Sequence, residues 1–242
     1  MKKYGLIGFP LGHSFSKRFF DSKFASEGLN DCCYQPYELP SLEGFREWVR
    51  REDLRGLNVT IPYKEAVIPL LDSISDEARL IGAVNVVKVM PDGSMRGFNT
   101  DAPAFAETLR PLLKPWHTKA LVFGTGGAAK AVAYALKQSG IEYCMVSRKG
   151  NPYLSYPEAA EMAKEVFLLI NATPAGMYPH TEEMAVPQLP ALSERHLCYD
   201  LIYNPEETLF LAEAKRQGAA IQNGQPMLEL QAEMAWNIWT DR

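Results

Sequence analysis

Asn58-Val59-Thr60-Ile61-Pro62-Tyr63-Lys64 holds the residue types that proton transfer needs. A lysine ammonium donates a proton to an oxygen that turns negative during reaction, once its surroundings position it and tune its pKa. Val59 and Ile61 alternate with Asn58 and Thr60 as in a short strand, and Pro62 suits the first turn of a helix, where a missing N–H costs nothing. That strand-to-helix corner presents Thr60 and Lys64 together. Taken alone, the heptapeptide reads more readily as a solvated lysine opening a surface helix; motifs further along reverse that balance.

A second constellation lies at Ala120-Leu121-Val122-Phe123-Gly124-Thr125-Gly126-Gly127-Ala128-Ala129. An apolar strand runs into glycines and then into a helix with apolar Ala128, Ala131, Val132, Ala135 and Leu136. Gly124, Gly126 and Ala129 fit the G-x-G-x-x-G/A dinucleotide fingerprint in its strand–turn–helix setting. Glycines permit a tight turn and close approach of a pyrophosphate, which the exposed N–H groups of the helix N-terminus attract. A purely structural glycine turn is the alternative. After the next strand, Tyr143–Ser147, an NAD site usually carries an acidic residue that binds the ribose hydroxyls. Ser147-Arg148-Lys149 stands there instead, and such cations suit a 2′-phosphate, so NADP is the expected cofactor. An ordinary basic loop is the competing reading.

These groups need a scaffold, and the composition bounds it. A chain of 242 residues with 47% hydrophobic and 22% charged residues is an ordinary globular protein with room for two modest domains. A net charge of −4 argues against nucleic-acid binding, which usually requires a basic face. The start of the chain has too short an apolar run for a signal peptide, and no stretch nears the ~20 apolar residues of a membrane span. Cys32, Cys33, Cys144 and Cys198 show no C-x-x-C spacing, and the four histidines are scattered singly, so neither a disulfide framework nor a metal site is expected. The expectation is a cytoplasmic, metal-free protein with a small-molecule ligand, monomeric or homodimeric.

The positioning elements follow from periodicity. Strands are predicted over 4–9, 33–39, 58–61 and 83–89, the last returning as a hairpin through Pro91-Asp92-Gly93 to Met95–Phe98. Helices are predicted around Phe19–Gly28, over 42–51 and over 64–71. Asn99 or Thr100 caps a helix with Phe105, Leu109, Leu112 and Leu113 inward, and Asp101 stands at its start. A helix is expected around Pro157–Val166 with a strand at Phe167–Ile170, and a C-terminal helix over 226–239. The fold class is therefore α/β. It comprises a substrate-binding and catalytic domain over 1–100, rejoined by the C-terminal helix 226–242, and a shortened Rossmann-like domain over 101–225.

With these pieces assembled, the chain resembles the shikimate/quinate dehydrogenase family over nearly its whole length. The resemblance rests on Gly8-Phe9-Pro10 with His13-Ser14-Phe15-Ser16, Asn58–Lys64, Gly82-Ala83-Val84-Asn85, and Gly97-Phe98-Asn99-Thr100-Asp101. It continues through Gly124–Ala129, Asn171–Met177, Tyr199–Pro205, and Asn223-Gly224 followed by Met227-Leu228 and Gln231. It implies reversible NADP-dependent reduction of 3-dehydroshikimate to shikimate in aromatic amino-acid biosynthesis. By that resemblance Ser14 and Ser16 grip the substrate carboxylate, and Thr60, Asn85, Tyr203 and Gln231 hold the substrate. Lys64 and Asp101 form the catalytic pair. Thr125, Gly127, Ala128, Thr173, Leu201, Gly224 and Met227 join Gly124, Gly126, Ser147, Arg148 and Lys149 around the cofactor. Read without it, the two serines are as readily turn or cap residues, and Gln231 a satisfied buried glutamine.

The chain also departs from the family pattern. Lys17 replaces a usual proline, Gln225-Pro226 replaces a leucine-containing turn, and Ser147 and Lys149 differ from a frequent Asn-Arg-Thr triplet. Only residues 149–170 separate Arg148 from Asn171, enough for one helix and one strand, so the usual further strand and helix shrink to a stub near Tyr153–Tyr156. Three rivals stand beside the main reading. One is a quinate/shikimate dehydrogenase using NAD or both cofactors. Another is a methylenetetrahydrofolate dehydrogenase, which gives Ser14 and Ser16 no role. The third is a non-catalytic NADP- or shikimate-binding regulator, against which the retained Lys64 and Asp101 speak.

Overall fold

The computed structural model describes residues 1–11, 15–186, 189 and 191–242. They form two compact units, Met1–Thr100 with Gln231–Arg242, and Asp101–Leu230.

The first unit is built on β1 (Lys2–Gly8), α1 (Phe15–Ser26), β2 (Cys32–Glu38), α2 (Phe45–Arg51), β3 (Leu54–Val59), α3 (Tyr63–Ala66), β4 (Ser73–Ile74), α4 (Asp76–Ile81), β5 (Val86–Val89) and β6 (Met95–Phe98). The strands make one mixed sheet in the order β2-β1-β3-β5-β6-β4. β1 pairs parallel with both β2 and β3, whereas the β3–β5 and β5–β6 pairs are antiparallel, the latter as the Pro91-Asp92-Gly93 turn requires. β1 is buried from Tyr4 to Gly8, as expected of a strand covered on both faces.

Two local differences from the sequence expectation have physical causes. Pro62 caps α3 rather than occupying its first helical position, and the expected helix over 64–71 breaks after Ala66 into a 3-10 turn at Ile68–Leu70, where Pro69 cannot donate the next helical bond. α4 carries no periodicity that reveals six residues as a helix, yet its caps are written in the chain. The Ser75 side chain accepts the Ala78 N–H, and Gly82 closes the helix at φ 74°.

The second unit contains α5 (Asp101–Leu109), β7 (Lys119–Phe123), α6 (Gly127–Gln138), β8 (Glu142–Val146), α7 (Tyr156–Met162), β9 (Leu168–Asn171), β10 (Leu197–Asp200), α8 (Leu209–Arg216) and β11 (Ala220–Gln222); α9 (Gln225–Thr240) follows. Its five strands are all parallel, in the order β11-β10-β9-β7-β8. β7 and β9 are apolar without alternation because helices cover both faces of such a sheet. The shortening is concrete. Among the described residues the sheet continues beyond β8 only as a single parallel bridge between Val146 and Leu154, followed at once by α7 with its Ser155–Glu158 capping box.

The C-terminal helix packs on the first unit. Ala232, Ala235, Trp236 and Trp239 recur at helical spacing and join a buried cluster with Tyr4, Phe20, Phe24 and Tyr34. Tyr4 stacks on Trp239 at 5.0 Å and meets Trp236 edge-on at 5.2 Å, arrangements that add to simple area burial. Trp239 also donates its indole N–H to the Val87 carbonyl at 3.0 Å.

Candidate active site

In the first unit the backbone gathers three expected residues at the carboxyl end of β3. Thr60 donates its N–H to the Ile7 carbonyl at 2.9 Å, and its own carbonyl accepts the Tyr63 N–H at 2.9 Å. The Val84 N–H binds the Lys64 carbonyl at 2.7 Å, and the Val59 N–H binds the Asn85 carbonyl at 2.8 Å. Thr60, Lys64 and Asn85 therefore belong to one hydrogen-bonded corner. Asn85 is buried; its side chain donates to the Thr100 hydroxyl at 2.9 Å and accepts the Thr100 N–H at 2.7 Å. This fixes the residue immediately before Asp101, which is itself buried at the start of α5.

Ser16 is the second residue of α1 and half-buried, and its hydroxyl donates to that of Tyr34. Tyr34 in turn donates to the Asn58 side chain at 2.8 Å, and burial pushes its phenol well above the usual range. Asn58 Nδ2 is buried and finds no acceptor among the described residues. Ser14 lies outside the described residues. Gln231 is buried on α9 within the first unit.

In the second unit the expected cofactor residues fall after the carboxyl ends of the parallel strands, the edge at which open α/β sheets bind ligands. Gly124 follows β7 at φ 118°, and a side chain there would press on the Ala172 carbonyl at 2.9 Å. Its N–H reaches the Val146 carbonyl at 3.0 Å, which ties the glycine turn to the end of β8. Thr125 follows, half-buried. Gly126 is the N-cap of α6, with nothing within 4 Å of the position a Cβ would take, and Gly127 and Ala128 open the helix. A 12-residue helix with an open glycine at its N-cap fits a pyrophosphate.

Ser147 follows β8 and accepts the Lys149 N–H at 3.2 Å; Arg148 and Lys149 are exposed, as a 2′-phosphate would need. Thr173 follows β9, and Leu201 and Tyr203 follow β10. Gly224 packs on the Leu201 backbone so tightly that no side chain fits, and Met227 is buried in the first turn of α9. A cavity of about 480 Å³ between Lys119, Lys137, Glu142 and Tyr143 lies at the opposite end of the strands and contains none of these residues. Among the described residues no cluster of His, Cys, Asp and Glu is placed to hold a metal ion.

Sequence reasoning does not single out Asn171, Asp200 or Thr208, although the first two lie inside quoted motifs. Their signal is available: a carboxylate and an amide at the ends of two otherwise apolar strands, where burial demands partners.

A parallel sheet of this order, with a glycine turn entering a helix at its carboxyl edge, defines a dinucleotide-binding type of α/β protein. The mixed sheet that precedes it in the chain narrows the class. Residues 6–87 match the family described as the shikimate dehydrogenase substrate binding domain. An NADP(+) shikimate dehydrogenase of Thermus thermophilus is 39% identical over 251 residues, covering 99% of this chain and 93% of the relative. That of Carboxydothermus hydrogenoformans is 36% identical, covering 99% and 91%. The crystal structure of shikimate 5-dehydrogenase from Thermus thermophilus, in complex with NADP(H) and shikimate, superposes with a TM-score of 0.87 at 38% identity, covering 100% of this chain and 94% of that one. The chain belongs to the shikimate dehydrogenase family.

Proposed function

We propose that the protein is an NADP-dependent shikimate dehydrogenase that interconverts 3-dehydroshikimate and shikimate. The observation that carries this reading is the full-length match to NADP(+) shikimate dehydrogenases, combined with a Thr60–Lys64–Asn85 corner inside the segment that matches their substrate-binding domain. When bound, NADP(H) supplies or accepts the hydride; the chain's own residues supply position and a proton.

Lys64 gives the proton to the substrate oxygen as its carbonyl is reduced, and in the reverse direction takes it back. Asp101 orients Lys64 and accepts a hydrogen bond from the same substrate hydroxyl. Ser14 and Ser16 hold the carboxylate by donating their hydroxyls, which for Ser16 means turning from Tyr34 toward the substrate. Thr60, Asn85, Tyr203 and Gln231 fix the ring. Gly124–Ala128, Thr173, Leu201, Gly224 and Met227 hold the dinucleotide, and Arg148 with Ser147 and Lys149 select its 2′-phosphate. Residues 1–100 with the C-terminal helix act as the substrate domain and 101–225 as the cofactor domain. The enzyme works as a monomer or homodimer. Its four cysteines are free, which suits the cytoplasm.

The test is a spectrophotometric assay of the purified protein with shikimate or quinate against NADP⁺ or NAD⁺. Turnover is expected to be highest with shikimate and NADP⁺. A preference for quinate and NAD⁺ would overturn the substrate and cofactor assignment, and no turnover with any pair would favour a binding protein.

A further inference from the structure

A fully buried carboxylate lies in the second unit, that of Asp200 at the end of β10. Three donors converge on it. Asn171 Nδ2 and the Ile202 N–H both reach Oδ1 at 2.9 Å, and the Thr208 hydroxyl reaches Oδ2 at 2.7 Å. Burial pushes its carboxyl up to about 6, so it is still ionised at neutral pH.

An ionised carboxylate only accepts hydrogen bonds, so it dictates which end of the Asn171 amide faces it. The NH₂ group must turn to Asp200, and Oδ1 must point the other way. There it accepts two bonds from one residue, the Thr173 N–H at 2.9 Å and the Thr173 hydroxyl at 2.7 Å. The Thr173 hydroxyl then accepts the Ala175 N–H at 3.3 Å, which shapes the turn that follows β9. Ala172, between the two, supplies the carbonyl against which Gly124 packs. On its other side Asp200 fixes the Ile202 N–H just past Leu201, the residue on which Gly224 rests. One carboxylate thus sets the loops after β9 and β10 and, by packing, the glycine turn after β7.

We propose that Asp200 is a positioning residue for the cofactor edge: by fixing the amide of Asn171 it holds Thr173 and the adjoining loops in the geometry that receives the dinucleotide. This rests on the assignment of Thr173 and Leu201 to the cofactor. Asp200 itself is sealed from the ligand and acts only through its neighbours.

Asp200→Ala removes both acceptor oxygens, so nothing holds the NH₂ end of the Asn171 amide toward β10. The expected result is a rise of about tenfold in KM and calorimetric Kd for NADP⁺, the scale of one hydrogen bond to a charged group. The KM for shikimate should change less than about twofold, since a hydrogen bond is lost only at the cofactor edge. The same rise is expected with NAD⁺, because Asn171 and Thr173 lie at β9 and not at the Arg148 end of the sheet. Thr208→Val removes a donor to the same carboxylate without touching Asn171; it should lower the melting temperature and leave the Kd within about twofold. In a Thr173→Val background the Asp200→Ala effect should shrink, since the two act in series.

Dinucleotide affinity unchanged in folded Asp200→Ala would overturn the proposal, as would an equal loss in Thr208→Val or strictly additive losses with Thr173→Val. Should Asp200→Ala fail to fold, Asn171→Ser, which cuts the link while leaving the other two donors, carries the same expectation. A wild type without dinucleotide affinity would overturn the cofactor assignment and this proposal with it; a binding wild type and an equally binding variant would overturn this proposal alone.

Discussion

The indole of Trp239 occupies the space that a side chain at Gly56 would fill. One missing Cβ on β3 thus admits the C-terminal helix to the sheet that carries the Thr60–Lys64 corner, and lets Trp239 reach the Val87 carbonyl. Gly56→Ala drives a methyl into a rigid, buried ring, and overpacking of that kind costs about 1–3 kcal/mol. The urea midpoint of unfolding should fall accordingly. Trp239→Ala removes the ring instead and should cost about 3–5 kcal/mol. An unchanged midpoint in Gly56→Ala would show that the helix relaxes away without loss.

Cofactor choice should reside in Arg148. Its guanidinium is exposed just past β8 and offers a charge-assisted, bidentate grip on a 2′-phosphate. Arg148→Ala should weaken NADP⁺ and leave NAD⁺ little changed in calorimetric titrations. Because the sheet beyond β8 is reduced to the Val146–Leu154 bridge, less apolar surface is available beside the adenosine. NADP⁺ should therefore bind more loosely than to a relative with the full strand and helix. Equal losses for the two cofactors would remove Arg148 from 2′-phosphate recognition, and unusually tight NADP⁺ binding would contradict the effect of the shortened wall.

Acid sensitivity should pass through His117. Its Nδ1 accepts the Lys114 N–H at 3.1 Å and its Nε2–H donates to the Arg195 carbonyl at 2.9 Å, so both nitrogens are satisfied in the neutral ring. Protonation would aim a second N–H at a donor, and burial lowers the pKa below its usual 6.5. The unfolded chain then takes up a proton at a higher pH than the folded one. This stability is fully present above about pH 6.5 and is lost as pH falls toward the lowered folded value. Melting temperatures between pH 7.5 and 5 (about the range histidine governs) should fall more steeply for wild type than for His117→Gln. Parallel curves would exclude this histidine.

Much of this is legible in the chain because the signals are local. The β7–Gly124–α6 turn, the β5–β6 hairpin and the C-terminal helix each announce themselves by spacing within about a dozen residues. α4 is not legible from periodicity, since six residues make too few turns; only its Ser75 and Gly82 caps mark it. The Asp200–Asn171–Thr173 relay is hidden for a different reason. Asp200 and Asn171 lie 29 residues apart and meet only when β9 and β10 pair side by side. The helix after Lys64 ends sooner than its apolar spacing suggests, because Pro69 breaks the hydrogen-bond ladder that the spacing alone would continue.

Lys64 should be the residue that moves the proton in shikimate oxidation. Its carbonyl accepts the Val84 N–H whatever side chain the position carries, so Lys64→Ala should keep the backbone of the corner. Single-turnover and steady-state kinetics of that variant with shikimate and NADP⁺ test the claim most directly. A fall in kcat of about 10²–10⁴-fold is expected, the usual contribution of a general acid–base, with shikimate affinity reduced far less. A Lys64→Ala enzyme that keeps a near-normal kcat would contradict it.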